Sequence, residues 1–241
     1  MPGKLRAQQE HWDRLAREDP FWAILTDPAK RHGGWDAEQF FSTGRDEIAY
    51  AMQYAESLGL PAECRHALDF GCGAGRLTQA LAGHFDRVTG VDISPAMIDL
   101  ARQYNRAGER CAYVVNGEEH LGQFADGSFD LIYSRIVLQH LPARLARRYV
   151  REFVRLLRPH GLALFQLPAR LATPRLRSRL GFHLNLWVRR ILRQPYLIEM
   201  YGVPCEMVRR DLEDCGGRLL DVQPDACAGP EWESWRYAAT R

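Results

Sequence analysis

The sequence predicts an α/β fold in which a mostly parallel sheet is wound on both faces by helices, and three observations predict it. A short apolar run at residues 66–68 ends in the acid Asp69 and passes into glycines at 71, 73 and 75, followed by an alanine- and leucine-rich helical run. That is the strand–turn–helix that brings backbone close to a nucleotide-like ligand. Strand-like and helix-like stretches then alternate, the order that parallel strands with crossover connections require. The chain has 241 residues with 46% hydrophobic content, enough to bury one sizeable core.

The leader, residues 1–60, reads as helical. Residues 5–16 form a first helix with Leu5, Trp12 and Leu15 on one face, and Asp19-Pro20 offers an N-cap and a first-turn proline to a second. Asp36 can cap a further helix, and past Gly44 the apolar positions Ile48, Met52, Ala55 and Leu58 repeat at helical spacing up to Gly59-Leu60-Pro61. Strands are expected at 66–70, 87–91, 111–115, 162–167, 218–222 and 235–240, with a fourth strand fed by the turn of residues 126–134 and ending at Ser134-Arg135. Helices are expected at 74–82, after the Ser94-Pro95 cap, at 142–157 and at 204–214, with Pro159-His160-Gly161 as a turn. Between residues 170 and 200, Leu176, Leu180, Leu184, Trp187 and Ile191 step at helical spacing among arginines, which predicts a basic amphipathic insertion.

The glycine turn selects its ligand by charge. A pyrophosphate-binding turn needs G-x-G-x-x-G without a nearby carboxylate, because the ligand is an anion on helix N–H groups. Here the third glycine comes one residue early, position 76 is arginine, and Asp69 stands two residues before the first glycine. A fixed carboxylate repels pyrophosphate and favours a cation, and S-adenosylmethionine carries a sulfonium and an ammonium but no phosphate. Asp92 closes the next strand, where a carboxylate can take both ribose hydroxyls. The competing reading is a purely structural tight turn.

Asp69-Phe70-Gly71-Cys72-Gly73-Ala74-Gly75 and Val91-Asp92-Ile93-Ser94 resemble the first two motifs of the class I S-adenosylmethionine-dependent methyltransferases, and the D-G-S-F-D segment at 126–130 resembles another piece of that superfamily. The resemblance covers residues 61–165 by motif and the ends by topology. It implies a Rossmann-like seven-stranded sheet whose last two strands are antiparallel, with S-adenosylmethionine as cofactor of a domain at 61–241, while the aromatic-rich leader 1–60 either packs as a helical appendage against the sheet or acts as a lid over the cofactor's methyl group. On this resemblance Asp69, Gly71, Gly73, Gly75, Asp92, Ile93, Met97 and Ser134 belong to the cofactor site, Asn116 and Glu118 read adenine, and Arg45 in the leader meets the methionine carboxylate.

The C-terminal end of the fourth strand, at Ser134-Arg135, faces the ligand crevice of such a sheet, which places Ser134, Gln139 and His140 near the transferred methyl group. His140 is the candidate catalytic residue, because an imidazole suits proton transfer near neutral pH. The alternative for His140 is to cap the following helix or fix the loop.

Net charge is only +2, yet residues 135–193 hold fourteen arginines against the single acid Glu152. On the helix 142–157 these arginines are expected to form a solvated face; in the insertion they suit an acidic acceptor, a membrane surface or a second subunit, which makes a homodimer one expected arrangement. The six cysteines and eight histidines are dispersed, so neither a disulfide framework nor a metal site is expected. The start has no signal-type apolar run and no stretch has membrane-spanning length, so the expected location is the cytoplasm.

The function expected is methylation of a small, sometimes anionic metabolite at oxygen, with a sugar or natural product as acceptor. N-methylation of a small amine is the nearest alternative. A segment of the Asn/Asp-Pro-Pro-Tyr/Phe type does not follow Ser134, which argues against exocyclic amines of nucleic-acid bases. A non-catalytic module of the same fold, binding nucleic acid or a membrane through the arginine band, is the alternative from another class, and the scarcity of interleaved aromatics argues against nucleic acid.

Overall fold

The computed structural model describes residues 2–172 and 199–241. Seven strands form one sheet in the order β3-β2-β1-β4-β5-β7-β6. They are β1 (His66–Phe70), β2 (Arg87–Asp92), β3 (Cys111–Val115), β4 (Phe129–Ser134), β5 (Leu157–Leu171), β6 (Arg218–Pro224) and β7 (Trp232–Thr240). The first five pair in parallel, and β7 runs antiparallel between β5 and β6. The chain winds outward from β1 to β3 and then returns to β4 on the other side of β1, so the strand order reverses there. A crevice at the carboxyl ends of the strands follows from that reversal. Register brings those ends together: Phe70 pairs with Val91, and Asp69 with Tyr133.

The helices are α1 (Pro2–Glu18), α2 (Pro20–Ile24), α3 (Ala37–Ser57), α4 (Arg76–Leu81), α5 (Pro95–Gln103), α6 (Ala143–Leu156) and α7 (Cys205–Asp214). Side chains alternate across each strand, which splits the core between the two faces of the sheet. Leu68, Phe70, Phe165 and Tyr237 pack with Tyr149 and Phe153 of α6. Ala67, Leu131, Tyr133 and Leu164 pack on the opposite face with Ile48, Leu77 and Ile98 of α3, α4 and α5. Every residue of β4 is buried, as expected of a central strand covered on both faces.

Ser94 caps α5, and Asp36 caps α3 through Gln39 N, both as their spacing predicts. Asp19 does not cap α2; its carboxylate accepts from His32 N at 2.6 Å and Gly33 N at 3.2 Å, pinning the loop beyond that helix instead. Gly44 does not interrupt α3. A Cβ there would lie 2.5 Å from the carbonyl oxygen of Arg76, so glycine is what lets α3 pack onto the start of α4. Pro159-His160-Gly161 is not a turn between two elements but an irregularity inside β5, whose pairing with β4 shifts between Phe129 and Leu131.

The arginines of α6 lie on its outer face, with Arg144, Arg148 and Arg151 exposed as expected, and there they pair with acids. Arg147 and Arg151 clamp Asp211 of α7 at 2.6 and 2.5 Å, Arg144 and Arg148 meet Glu119, Arg155 meets Glu152 and Asp126, and Arg158 meets Asp130. Arg170, at the end of β5, pairs with Glu233 of β7. Among the described residues, the arginine charge from 144 to 170 is thus met by acids, all but Glu152 supplied from elsewhere in the fold. The basic helix expected between 170 and 200 falls almost entirely outside the described residues, and so do Arg175, Arg177, Arg179, Arg189, Arg190 and Arg193.

Candidate functional site

The turn after β1 is held by β2. Gly71 N and Cys72 N both donate to Val91 O, at 2.7 and 3.0 Å, and Gly73 N donates to the Asp92 carboxylate at 2.9 Å. Gly71 has φ +82° and lies so near the segment after β4 that a Cβ would stand 2.2 Å from Val137 Cγ2. Only glycine meets both conditions. Asp92 accepts a second bond at its other oxygen from Ser94 N at 2.9 Å. Burial pushes its carboxyl above the usual aspartate value, while the bonds from Ser94 and Gly73 act in the opposite direction.

A cavity opens at the ends of β1, β2 and β4. Its floor is Phe70, Gly71, Cys72 and Gly73; one wall is Val91, Asp92, Ile93, Met97 and Asn116; the opposite wall is Arg135, Ile136, Val137, His140 and Leu141. Leu5, Gln8 and Trp12 of α1, with Ala23 and Ile24 of α2, close it from above. α1 is fastened across the opening. Gln8 Nε2 donates to His140 O at 2.6 Å, Gln9 Nε2 donates to Ile93 O at 2.9 Å, and the Asp13 carboxylate accepts from Ala96 N at 3.1 Å and from Ser94 Oγ.

Of the residues singled out in the sequence, the fold brings Gly71, Gly73, Asp92, Ile93, Met97, Asn116 and His140 to this one cavity. Asn116 is buried, donating to Tyr149 Oη and Glu118 O at 3.2 Å and accepting from Gln123. The others lie elsewhere. Asp69 is sealed beneath the turn, with one oxygen accepting from Thr78 Oγ1 at 2.6 Å and the other without a hydrogen-bond partner among the described residues. Burial pushes its carboxyl up to about 7. Gly75 backs onto Tyr113, and Ser134 Oγ donates to Phe70 O at 3.0 Å, tying β4 to β1. Glu118 is exposed and offers the core only its carbonyl. Arg45 lies on the outer face of α3, paired with Glu38 at 2.6 Å.

His140 ends a buried relay of side chains. Its Nδ1 donates to Glu199 O at 3.0 Å, and its Nε2 lies 3.2 Å from Gln139 Nε2, so the amide donates and the imidazole accepts. Gln139 Oε1 in turn accepts from Gln166 Nε2, which also donates to Ser234 Oγ, while Gln166 Oε1 accepts from Ile136 N. Burial lowers the His140 pKa to about 4, so the ring is neutral at pH 7. Ile136 sits at φ +60°, a strained conformation for a β-branched residue, and the Gln166 bond to its N–H holds it there.

Sequence reasoning missed Arg76, Arg135, Gln8 and Tyr149 on the cavity wall, and Glu47 behind it. Arg76 and Arg135 adjoin motifs that were recognised, and that adjacency is the signal that could have found them. Among the described residues no three His, Cys, Asp or Glu side chains are grouped to hold a metal ion, and no helix is long and apolar enough to cross a membrane.

Residues 68–165 match the family described as a methyltransferase domain. The ubiquinone biosynthesis O-methyltransferase of Xanthomonas axonopodis pv. citri is 32% identical over 111 residues, covering 46% of this chain and 45% of that protein. The enzyme of the same name from Coxiella burnetii is 35% identical over 102 residues, 42% of each chain. The matches thus span less than half the length of these curated relatives. Among solved structures, magnesium protoporphyrin IX methyltransferase from Synechocystis PCC 6803 with bound SAH superposes with a TM-score of 0.62 at 19% identity, covering 95% of this chain and 99% of that one. A putative methyltransferase from Bacillus halodurans C-125 gives a TM-score of 0.56 at 17% identity, covering 80% and 96%. Residues 68–165 thus match the methyltransferase-domain family, and the described residues have the class I methyltransferase fold.

Proposed function

We propose that this chain is an S-adenosylmethionine-dependent methyltransferase acting on a small molecule, with oxygen as the acceptor atom and a sugar or natural product as the acceptor. The observation that carries the proposal is Asp92. Its carboxylate lines the cavity at the end of β2 with one bond to each oxygen already made by backbone N–H groups, and a carboxylate has about four acceptor positions, leaving two for a pair of ribose hydroxyls. The glycine floor admits close backbone approach, Ile93 and Met97 offer an apolar surface to a base, and Asn116 offers an amide beside it. The names of the matched curated relatives favour oxygen as the acceptor atom.

S-adenosylmethionine, when bound, supplies an electrophilic methyl group for in-line displacement by the acceptor. The protein's part is to exclude water and hold the acceptor in line. Leu5, Trp12, Ile24, Val137 and Leu141 provide a dry enclosure. An alcohol must also lose its proton, and His140 is the group on the wall assigned to take it. For that, its Nε2 must exchange the Gln139 amide for the acceptor hydroxyl. The second reading of His140 is as a peg that fixes the loop, favoured by both ring nitrogens being engaged.

The test of the cofactor is titration calorimetry with S-adenosylhomocysteine. Asp92→Ala is expected to weaken binding by about 1.5–3 kcal/mol for each lost charge-assisted bond. Unchanged affinity in a folded variant, or tighter binding of NAD by the wild type, refutes the assignment. The acceptor is sought by incubating a metabolite extract with isotopically labelled S-adenosylmethionine and following the label by mass spectrometry. With that acceptor, a His140→Ala loss of at least a hundredfold in turnover with cofactor affinity intact supports the base. A small, pH-independent change leaves His140 as a peg.

A further inference from the structure

We propose that Gln166 is a positioning residue for methyl transfer: acting through Gln139, it fixes His140 as the tautomer with its proton on Nδ1 and its lone pair on Nε2. The inference rests on reading His140 as the group that takes the acceptor's proton, and it adds what keeps that group in working form. Gln139, Gln166 and Ser234 are buried, so their polar groups must find partners within the fold. Both ends of the relay are backbone groups, whose polarity is fixed. At one end the Ile136 N–H needs an acceptor, and Gln166 Oε1 supplies it at 3.2 Å. That turns Gln166 Nε2 towards Gln139 Oε1 at 3.1 Å, with Ser234 Oγ accepting its second hydrogen at 2.6 Å. Gln139 therefore presents its amide nitrogen to His140 Nε2 at 3.2 Å, and an amide nitrogen only donates. The imidazole must accept there and carry its proton on Nδ1, where Glu199 O accepts at 3.0 Å.

The two backbone ends demand the same tautomer. Reversing either amide sets two donors or two acceptors face to face in a buried place, which is costly. Ile136 itself stands at φ +60°, so the bond that sets the polarity also holds the bend that carries His140 into the cavity wall. From the other side, Trp12 packs edge-on against the ring with centroids 5.3 Å apart, and Gln8 holds the His140 carbonyl. The lone pair is what proton transfer needs. As the acceptor oxygen takes the methyl group, its hydroxyl proton passes to Nε2, and the charge lost from the sulfonium reappears on an imidazolium whose Nδ1–H stays on Glu199 O. The opposite tautomer would offer that hydroxyl an N–H and could not take its proton.

The tautomer is read on the full chain by two-bond hydrogen–nitrogen correlation spectra, which separate a protonated ring nitrogen from one with a lone pair. The wild type at pH 8 is expected to show the His140 proton on Nδ1 and the lone pair on Nε2, with the signals assigned by their loss in His140→Gln. In Gln166→Glu an ionised carboxyl can only accept, so the Gln139 amide turns, its carbonyl faces Nε2, and Nε2 is expected to hold a proton. Turnover with the acceptor found by the labelling screen should then fall by about a hundredfold or more, while S-adenosylhomocysteine affinity stays within about twofold. Should Gln166→Glu fail to fold, Gln139→Glu is measured in its place; it sets an acceptor directly against Nε2 and carries the same expectation. A wild-type ring with its proton on Nε2 overturns the proposal. So does a wild-type pattern persisting in folded Gln166→Glu, even where His140→Gln abolishes turnover. A reversed pattern with turnover unchanged, in Gln166→Glu and His140→Gln alike, refutes the base reading and leaves Gln166 a structural support only.

Discussion

Replacing Gly71 with alanine tests the geometry on which the whole site depends. The residue has φ +82°, where an L side chain costs about 1–2 kcal/mol. The new methyl would stand 2.2 Å from Val137 Cγ2, 2.5 Å from Cγ1 and 2.9 Å from Cβ. Rotation of Val137 about χ1 does not relieve the Cβ contact, so the segment after β4 must move, and overpacking of this kind costs about 1–3 kcal/mol more. The expected total is a loss of about 2–5 kcal/mol of unfolding free energy, measured by urea denaturation, with S-adenosylhomocysteine affinity falling as well. Adding Val137→Ala removes the two shortest contacts and leaves the φ cost. The double variant should therefore be more stable than the sum of the single effects predicts, by about 1–2 kcal/mol. Strict additivity, or a Gly71→Ala protein as stable as wild type, refutes the close approach of the two loops.

Three further outcomes follow from buried charges. His140 has a folded pKa of about 4 against about 6.5 unfolded, so as pH falls through that window the unfolded chain takes up a proton that the folded one does not, and stability is lost; His140→Gln should abolish up to about 3 kcal/mol of that loss in urea titrations between pH 7.5 and 4.5. Asp69 works in the opposite sense, since its folded pKa of about 7 lies above the unfolded value: Asp69→Asn should match or exceed wild-type stability at pH 8, by up to about 3 kcal/mol, and lose that advantage by pH 5. Asp211→Ala should lower stability by about 1–3 kcal/mol by releasing α7 from Arg147 and Arg151, and a wild-type Tm in that variant would show the clamp to be energetically idle.

What the sequence shows directly is what local chemistry dictates. The strand cores, the glycine turn, the Ser94 cap and Asp92 at the end of β2 are each set by a few neighbouring residues, and all stand where their pattern puts them. Arg45 shows where local reading fails. Phe40, Gly44, Ile48, Ala51 and Ala55 form one buried stripe of a single helix, which turns Arg45 outward. The pairing of Arg147 with Asp211, 64 residues apart, and of Arg76 with Glu47, 29 apart, exists only once the sheet has brought those elements together. The same is true of the relay from Gln166 to His140, whose members come from β5, β7 and the segment after β4. Its logic is hydrogen-bond satisfaction in three dimensions, which spacing along the chain does not encode.

The fastening of α1 has a kinetic consequence. Its hydrogen bonds span from Ile93 on one rim to His140 on the other, so exchange of a molecule beneath α1 is expected to be slowed until Gln8 and Gln9 let go. The expected outcome is gated exchange, in which the rate of opening caps turnover and the closing equilibrium enters the affinity of each ligand bound beneath α1. A chain with both glutamines changed to alanine should release S-adenosylhomocysteine faster in a stopped-flow chase while contacting the same floor, and its amides in residues 5–18 should exchange with deuterium sooner than those of the sheet.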